Sequence, residues 1–447
     1  MINSVFLTDL YQLTMMAGYF QNKMDEIATF EVFTRKYPPN RCYFIAAGLE
    51  QILDYVQNIK FTDDEIEYLR KNKIFSHIKD DFFEYLKNFK FTGDIWAMPE
   101  GTVFFPNEPV IRVTAPIIQA QLLETYILSV FNFQSMIATK ASIVTYEAQD
   151  RKVIEFGSRR AHGPEAAALA GRAAYIGGCI GTSNAYAGYK FGIPAYGTIA
   201  HSWVLAFDKE RESFEKYFQA FPESTILLVD TYDTVEGVKK AVKISPKIRG
   251  VRLDSGDLYE LSVESRKILD DAGLKDAIII ASGDLDEYKV KKLIDKDAPI
   301  DVFGVGTTLA TSSDAPFFNG IYKLVEIEKD NKLIQKAKFS ENKATYPGKK
   351  LVWRFLDENN KLINDIVADI EEDYSDNATQ LLVHTVKDGK QLTPNPSMTK
   401  IQEYCLSNLT QLDKKSLGVN CNPVTKVEIS QKLKDKFNQV LKEHQSE

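Results

Sequence analysis

The chain has 447 residues, of which 44% are hydrophobic and 26% charged, the balance of an ordinary globular protein. Lys plus Arg number 55 and Asp plus Glu 62, leaving a formal net charge of −7, which argues against a general nucleic-acid binder. Cys42, Cys179, Cys405 and Cys421 form no CxxC pair, so neither a disulfide framework nor a zinc knuckle is expected, and a reducing cytoplasm is the expected compartment. The first residues, Met1 to Asp9, lack a basic segment followed by an apolar core, so no signal peptide is read there. The richest apolar stretch, Ala115 to Phe133, is interrupted by Gln119, Gln121 and Glu124, and no membrane span is expected.

Four zones follow one another along the chain. Residues 1–113 mix helix and strand patterns. Phe82, Phe83, Leu86 and Phe89 recur there at helical spacing, ahead of the prolines Pro99, Pro106, Pro109 and Pro116. Residues 114–319 alternate short apolar runs with helical stretches such as Ala166–Tyr175 and Ser262–Ala272. Seven runs stand out: Val153–Phe156, Cys179–Ile180, Ile193–Tyr196, Ile226–Val229, Ile248–Leu253, Ala277–Ala281 and Ile300–Val305. Strands alternating with helices predict parallel βαβ units, and this many in one zone predict an irregular barrel. Residues 320–400 read as hairpins, with turns at Asp330–Asn331, Asp357–Asn360 and Asp388–Gly389. Residues 401–447 form a helical extension, with Ile429, Leu433, Phe437 and Leu441 on one face.

The segment after each apolar run carries the functional signal. These segments begin at Gly157, Gly181, Gly197, Asp230, Asp254, Ser282 and Gly306, and all are small and polar. Parallel barrels gather their active site at the carboxyl ends of the strands. Helix capping accounts for Ser, Thr and Asp at any one of these places. It does not account for Arg, His and Asp recurring through almost the whole set.

The chemistry of these loops is that of an anion site. Glycine-flanked turns at helix starts, such as Gly304–Thr308 and Ser282–Asp284, offer backbone N–H groups to phosphate. Neither GxxxxGK[ST] nor a strand-linked GxGxxG occurs, which removes the P-loop and dinucleotide readings. Arg159, Arg160 and Arg252 stand at strand ends and suit bidentate binding of carboxylate or phosphate. Asp230, Asp233, Asp254 and Asp257 suit ribose hydroxyls or Mg²⁺. His201, between Thr198 and Ser202, suits a general base, a phosphate ligand or a phosphoryl acceptor. The run into Asp230 resembles a type I phosphoribosyltransferase loop. It lacks that loop's adjacent acids and glycine-rich turn, and that reading is rejected.

Taken together, eight segments in family order resemble nicotinate phosphoribosyltransferase. They are Thr8–Gln12, Glu155–His162, Gly181–Asn184, Gly197–Ser202, Arg252–Asp257, Ser282–Asp284, Gly304–Thr307 and Tyr346–Lys350. The resemblance implies a type II fold: an irregular parallel α/β barrel with a discontinuous α/β domain formed by the N-terminal and C-terminal parts. It implies transfer of the phosphoribosyl group of phosphoribosyl pyrophosphate (PRPP) to nicotinate in NAD salvage, giving nicotinate mononucleotide and pyrophosphate. It further implies coupling to ATP hydrolysis through a phosphohistidine at His201, with Mg²⁺ entering alongside PRPP and ATP. No metal-ligand set among the protein's own residues is expected. By the same resemblance His201, Arg252, Asp254 and Asp233 are the catalytic group. Tyr11 and Phe156 sandwich the pyridine ring, and Asp9, Arg159, Thr182 and Ser183 complete the substrate site. Gly283, Asp284, Gly306 and Thr307 cradle the 5′-phosphate.

The implied assembly is a cytoplasmic homodimer with shared active sites, Tyr11 and its neighbours reaching the partner, and with no nucleic-acid or membrane partner. In nicotinamide-using relatives an Asp matches Ser183. Serine here favours the acid, with nicotinamide phosphoribosyltransferase as the alternative. Some family members carry a four-cysteine zinc site near the C-terminus. Only Cys405 and Cys421 lie in this tail, so no zinc is expected.

Overall fold

The structure, a computed structural model, describes residues 4–339 and 344–445. Met1 to Asn3, on which part of the leader reading rests, lie outside the described residues. The chain divides into two units. One comprises Met1–Met136, Phe317–Ser416 and Asn422–Glu447; the other comprises Ile137–Pro316 with Leu417–Cys421. The sequence places boundaries at 113 and 319. The division instead falls at Met136, inside the helix Glu124–Glu147, where no change of composition marks it, and at Pro316.

The second unit is built on six parallel strands. In spatial order they are Gly181–Thr182, Lys152–Glu155, Val302–Val305, Ile278–Ala281, Gly250–Leu253 and Ile226–Leu228. Five of the predicted runs coincide with these strands. The strand at Gly181–Thr182 begins one step beyond the run Cys179–Ile180. The run Ile193–Tyr196 contributes one bridge, Thr182 to Ala195, and this makes the barrel irregular. Alternation along the strands separates two faces. Ile279, Ala281, Phe303 and Val305 are fully buried. Ile154, Ile280 and Val302 cluster on the other face with Phe156, Ile180, Ile226 and Ile278, and line a half-open cavity of about 840 Å³. Arg252 lies in register with Ile280, so a charged side chain projects to that interior face.

Several polar residues after the strands are helix caps. Asn184, Asp233, Asp257 and Asp286 each accept a backbone N–H from the first turn of the following helix. The helices Pro164–Ile176 and Leu258–Asp271 form at or near the expected places, the latter capped by Asp257.

The first unit carries a mixed seven-stranded sheet. Its order is Lys332–Gln335, Gly320–Lys329, Ile27–Thr34, Ile111–Pro116, Asp94–Ala97, Val383–Lys387 and Lys390–Gln391. Residues from both ends of the unit's sequence therefore share one sheet. All three predicted hairpins form. Asp330 and Asn331, and Asp388 with Gly389, take the positive φ that two-residue hairpin turns demand. Ile429 departs from the helical reading. It ends a strand, Lys426–Ile429, paired in parallel with Leu362–Asp369, and the final helix begins at Gln431. The cysteine expectation needs one correction. Cys179 and Cys405 are buried thiols, whereas Cys42 and Cys421 are each half of a disulfide, which sequence spacing could not reveal.

By length and composition the helix Glu124–Glu147 is apolar enough to cross a membrane, although the sequence predicts no such segment. Of its most apolar window, 72% is buried inside the protein, as in the core helix of a soluble protein.

Candidate active site

The carboxyl ends of three of the strands, Gly250–Leu253, Ile278–Ala281 and Ile226–Leu228, carry one connected polar network. Arg252, on the strand Gly250–Leu253, is its hub. Its Nε donates to Ser282 Oγ (2.8 Å), its Nη1 to Thr198 Oγ1 (3.0 Å) and its Nη2 to Asp254 Oδ1 (2.7 Å). Three loops are thus tied to one guanidinium, whose rigid fork suits such a task. The same guanidinium lies 5.5 Å from the Phe156 ring centroid, within cation–π range. Phe156 sits where Gly304 leaves room: a Cβ at that glycine would come within 2.5 Å of the ring.

Asp254 is the second node. Besides Arg252, it accepts from Ser282 Oγ. Burial pushes its carboxyl up, but the Ser282 hydroxyl and the Arg252 guanidinium outweigh that and hold it below the usual aspartate range. Asp254 is therefore a fixed anion at neutral pH. His201 Nε2 stands 3.7 Å from Asp254 Oδ2, and His201 Nδ1 lies 3.1 Å from Thr231 Oγ1. Both ring nitrogens face a partner, so the imidazole orientation is set. Asp230 Oδ2 accepts from Asp254 N (3.0 Å) and Ser255 Oγ, while its Oδ1 is buried without a hydrogen-bond partner.

A third cluster lies on the neighbouring strands. Glu155 is fully buried. It accepts from Thr182 Oγ1 and from Gly157 N, and so joins the Gly157 loop to the strand Gly181–Thr182. Burial raises its pKa, and those two hydrogen bonds only partly oppose the rise. A raised carboxyl favours the protonated form in the folded state. Stability from this source is complete below the unfolded value and is lost as pH rises through the folded one. Glu155→Gln should therefore melt above wild type by a margin that opens above about pH 4.5 and then levels. Thermal melts across pH 4–8 check this; a margin that does not change with pH would contradict it.

The structure brings some expected residues together and assigns others elsewhere. Arg252, Asp254, His201 and Phe156 meet in or beside the network above. Thr182, expected at substrate, is buried, and its hydroxyl is engaged by Glu155 and Asn184 N. Ser183 is exposed beside it and is held by its N–H to Glu155 O. Asp233, expected in the catalytic group, is exposed and caps the helix Thr234–Ala241. Asp230, three residues earlier and directly after its strand, is the acid knitted into the rim. Arg159 is exposed on the Gly157 loop. Tyr11 and Asp9 belong to the first unit. There Tyr11 is exposed with its hydroxyl 3.3 Å from Glu124, and Asp9 accepts from Thr125 Oγ1.

Of the two glycine-rich turns, Gly283 is the one whose backbone demands glycine. Gly283 has φ +95°, and a Cβ there would lie 2.0 Å from Asp254 O. Asp284 follows with φ +46°, its carbonyl held by Lys289 Nζ. Gly306 precedes the short helix Thr307–Thr311. Gly283→Ala is expected to lose more than about 2 kcal/mol of stability and to weaken phosphate binding, since alanine meets both a left-handed backbone and a clash. Thermal melts and ribose 5-phosphate titration check it. Among the described residues, no group of three or more His, Cys, Asp or Glu side chains could hold a metal.

The fold is that of a phosphoribosyltransferase of the pyridine-acid class. Human nicotinic acid phosphoribosyltransferase superposes with a TM-score of 0.84 at 24% identity, covering 97% of this chain and 99% of that one. A nicotinate-nucleotide pyrophosphorylase from Pyrococcus furiosus gives 0.73 at 26% identity, covering 90% and 94%. The chain itself belongs to the nicotinate phosphoribosyltransferase family. Residues 6–132 match the nicotinate phosphoribosyltransferase (NAPRTase) N-terminal domain, and 151–369 match the NAPRTase family. It is 46% identical to a nicotinate phosphoribosyltransferase of Mycobacterium tuberculosis over 78% of this chain and 75% of that protein. It is 40% identical to that of Bacillus subtilis over 91% and 88%.

Proposed function

We propose that this protein transfers the phosphoribosyl group of PRPP to nicotinate, coupled to ATP hydrolysis through phosphorylation of His201. The observation that carries the reading is the Arg252–Asp254–Ser282 network, beside His201, on the strand ends of a barrel whose turns at Gly283 and Gly306 could offer backbone N–H groups to phosphate.

Transfer breaks the bond between ribose C1 and pyrophosphate and forms one to the pyridine nitrogen, through a cation-like ribosyl centre. The protein's task is chiefly electrostatic. Asp254, fixed as an anion, is suited to face the ribose and its developing positive charge. Arg252 holds Asp254 in place and, with Phe156, presents a flat cationic and aromatic surface to the pyridine acid. Backbone N–H groups at Gly283, Asp284, Gly306 and Thr307 take the 5′-phosphate in this reading. Magnesium, where bound, neutralises pyrophosphate charge. Asp230, whose buried Oδ1 has no hydrogen-bond partner, is the carboxylate that would hold it in this reading.

Ser183 bears on substrate choice. A neutral hydroxyl does not repel the nicotinate carboxylate, and Arg159 or Arg160 on the Gly157 loop would attract it in this reading. Tyr11 and Asp9 are assigned to a partner's site in a homodimer, the reading that gives an exposed aromatic residue a ligand.

The test is a substrate panel. With PRPP and Mg²⁺, pyrophosphate release is expected with nicotinate, is stimulated by ATP, and is far weaker with nicotinamide or quinolinate. Turnover confined to nicotinamide would remove the substrate assignment.

A further inference from the structure

We propose that Lys140 is a positioning residue that sets the spacing of the two phosphate-binding turns. The inference rests on the reading above, in which the Ser282–Asp284 and Gly306–Thr307 turns take one phosphate. Lys140 lies on the helix Glu124–Glu147 and is 2% exposed. Its ammonium donates to Glu287 Oε1 (2.5 Å) and to Asp314 Oδ1 (2.9 Å).

The two acceptors follow the two turns in the chain. Glu287 opens the helix that follows Asp284, and Asp314 lies just past the helix that Thr307 opens. A second bond joins the same segments: Thr308 Oγ1 donates to Leu285 O (2.8 Å). One buried cation and one hydroxyl thus tie the segments that carry the turns.

The charge count explains why the clamp is sensitive. Glu287 is itself buried, and its Oε2 has no hydrogen-bond partner. Two carboxylates converge on one ammonium. Without Lys140 they would face each other across a poorly solvated gap, and like charges would drive the turns apart. Apolar side chains would fill such a site at least as stably. What the ionic clamp supplies beyond stability is a fixed distance between two otherwise separate loops. A phosphate bound by N–H groups from both turns depends on that distance.

The experiment compares Lys140→Met with Lys350→Met, which removes another buried ammonium, paired to Glu31 in the first unit. Both variants should melt below wild type. Only Lys140→Met should weaken ribose 5-phosphate binding and raise the PRPP KM, each by about tenfold or more, with the nicotinate KM held within about twofold. Asp314→Asn, at a partly exposed site, keeps the Lys140–Glu287 pair and should shift the same two quantities by about threefold. It decides the matter if Lys140→Met does not fold. Unchanged ribose 5-phosphate binding in the folded variant, or an equal loss in Lys350→Met, would overturn the proposal. Ribose 5-phosphate titration does not require turnover. A wild-type protein that binds it but fails to use nicotinate would sink the functional reading while leaving this test intact.

Discussion

Replacing Arg252 by alanine is expected to lower kcat/KM for the proposed transfer by about a thousandfold, or about 4 kcal/mol of transition-state stabilisation. The size follows from the number of elements that lose their tie. Thr198, Asp254 and Ser282 come from three different loops and share this one guanidinium. Its loss also removes a cation from the Phe156 face and from beside Asp254. Asp254 is held low in part by Arg252, so its pKa should rise toward the ordinary aspartate range in the variant. The acid limb of the pH–rate profile should move to higher pH accordingly. Arg252→Lys restores charge without the fork and should recover only a small part of the rate. Melting curves separate these effects from unfolding. A variant within about tenfold of wild type would show that Arg252 only braces the loops.

Much of this network was legible in the sequence, because strand ends of a parallel sheet are the places where such side chains gather. The runs ending at Phe156, Leu253, Ala281 and Val305 were apolar and β-branched enough to mark strands, and Arg252, Asp254 and Ser282 follow from their positions. Sequence could not sort the acids. Asp230 and Asp233 differ by three residues, yet one is built into the rim and the other caps a helix. Capping and catalysis ask for the same residue type at the same end of a helix, so only hydrogen-bond partners separate them. Glu155 and Lys140 were passed over as site residues for a related reason. A buried charge inside an apolar-looking helix or strand gives no periodic signal; its meaning lies in partners distant in sequence, Thr182 for the first, Glu287 and Asp314 for the second. The division at Met136 was hidden because it runs through a continuous helix, where turn residues have no place.

His201→Ala is expected to abolish ATP hydrolysis, by about a thousandfold or more, while leaving ATP-independent transfer within about tenfold of wild type. The asymmetry follows from geometry. His201 opens the helix His201–Leu205 and is partly exposed, in contrast to the more enclosed Arg252. It can therefore meet a nucleotide phosphate without dismantling the Arg252–Ser282 ties. Its ring is oriented by Thr231 at one nitrogen and faces Asp254 at the other. In the proposed reaction the Asp254 carboxylate would face the positive charge that the ring gains as it accepts a phosphoryl group. Once a dianionic phosphoryl group is attached, the same carboxylate repels it, which gives the modified ring a reason to leave its resting position. In the proposed mechanism, phosphorylation and site geometry would be coupled through that one contact. Thr231→Ala should then slow phosphorylation by about tenfold through a loosened ring, with transfer nearly intact. Intact-mass detection of an acid-labile adduct, together with ATP and pyrophosphate assays, reads wild type and both variants. Full ATP turnover in His201→Ala would place the phosphoryl acceptor elsewhere and break the proposed coupling at its first step.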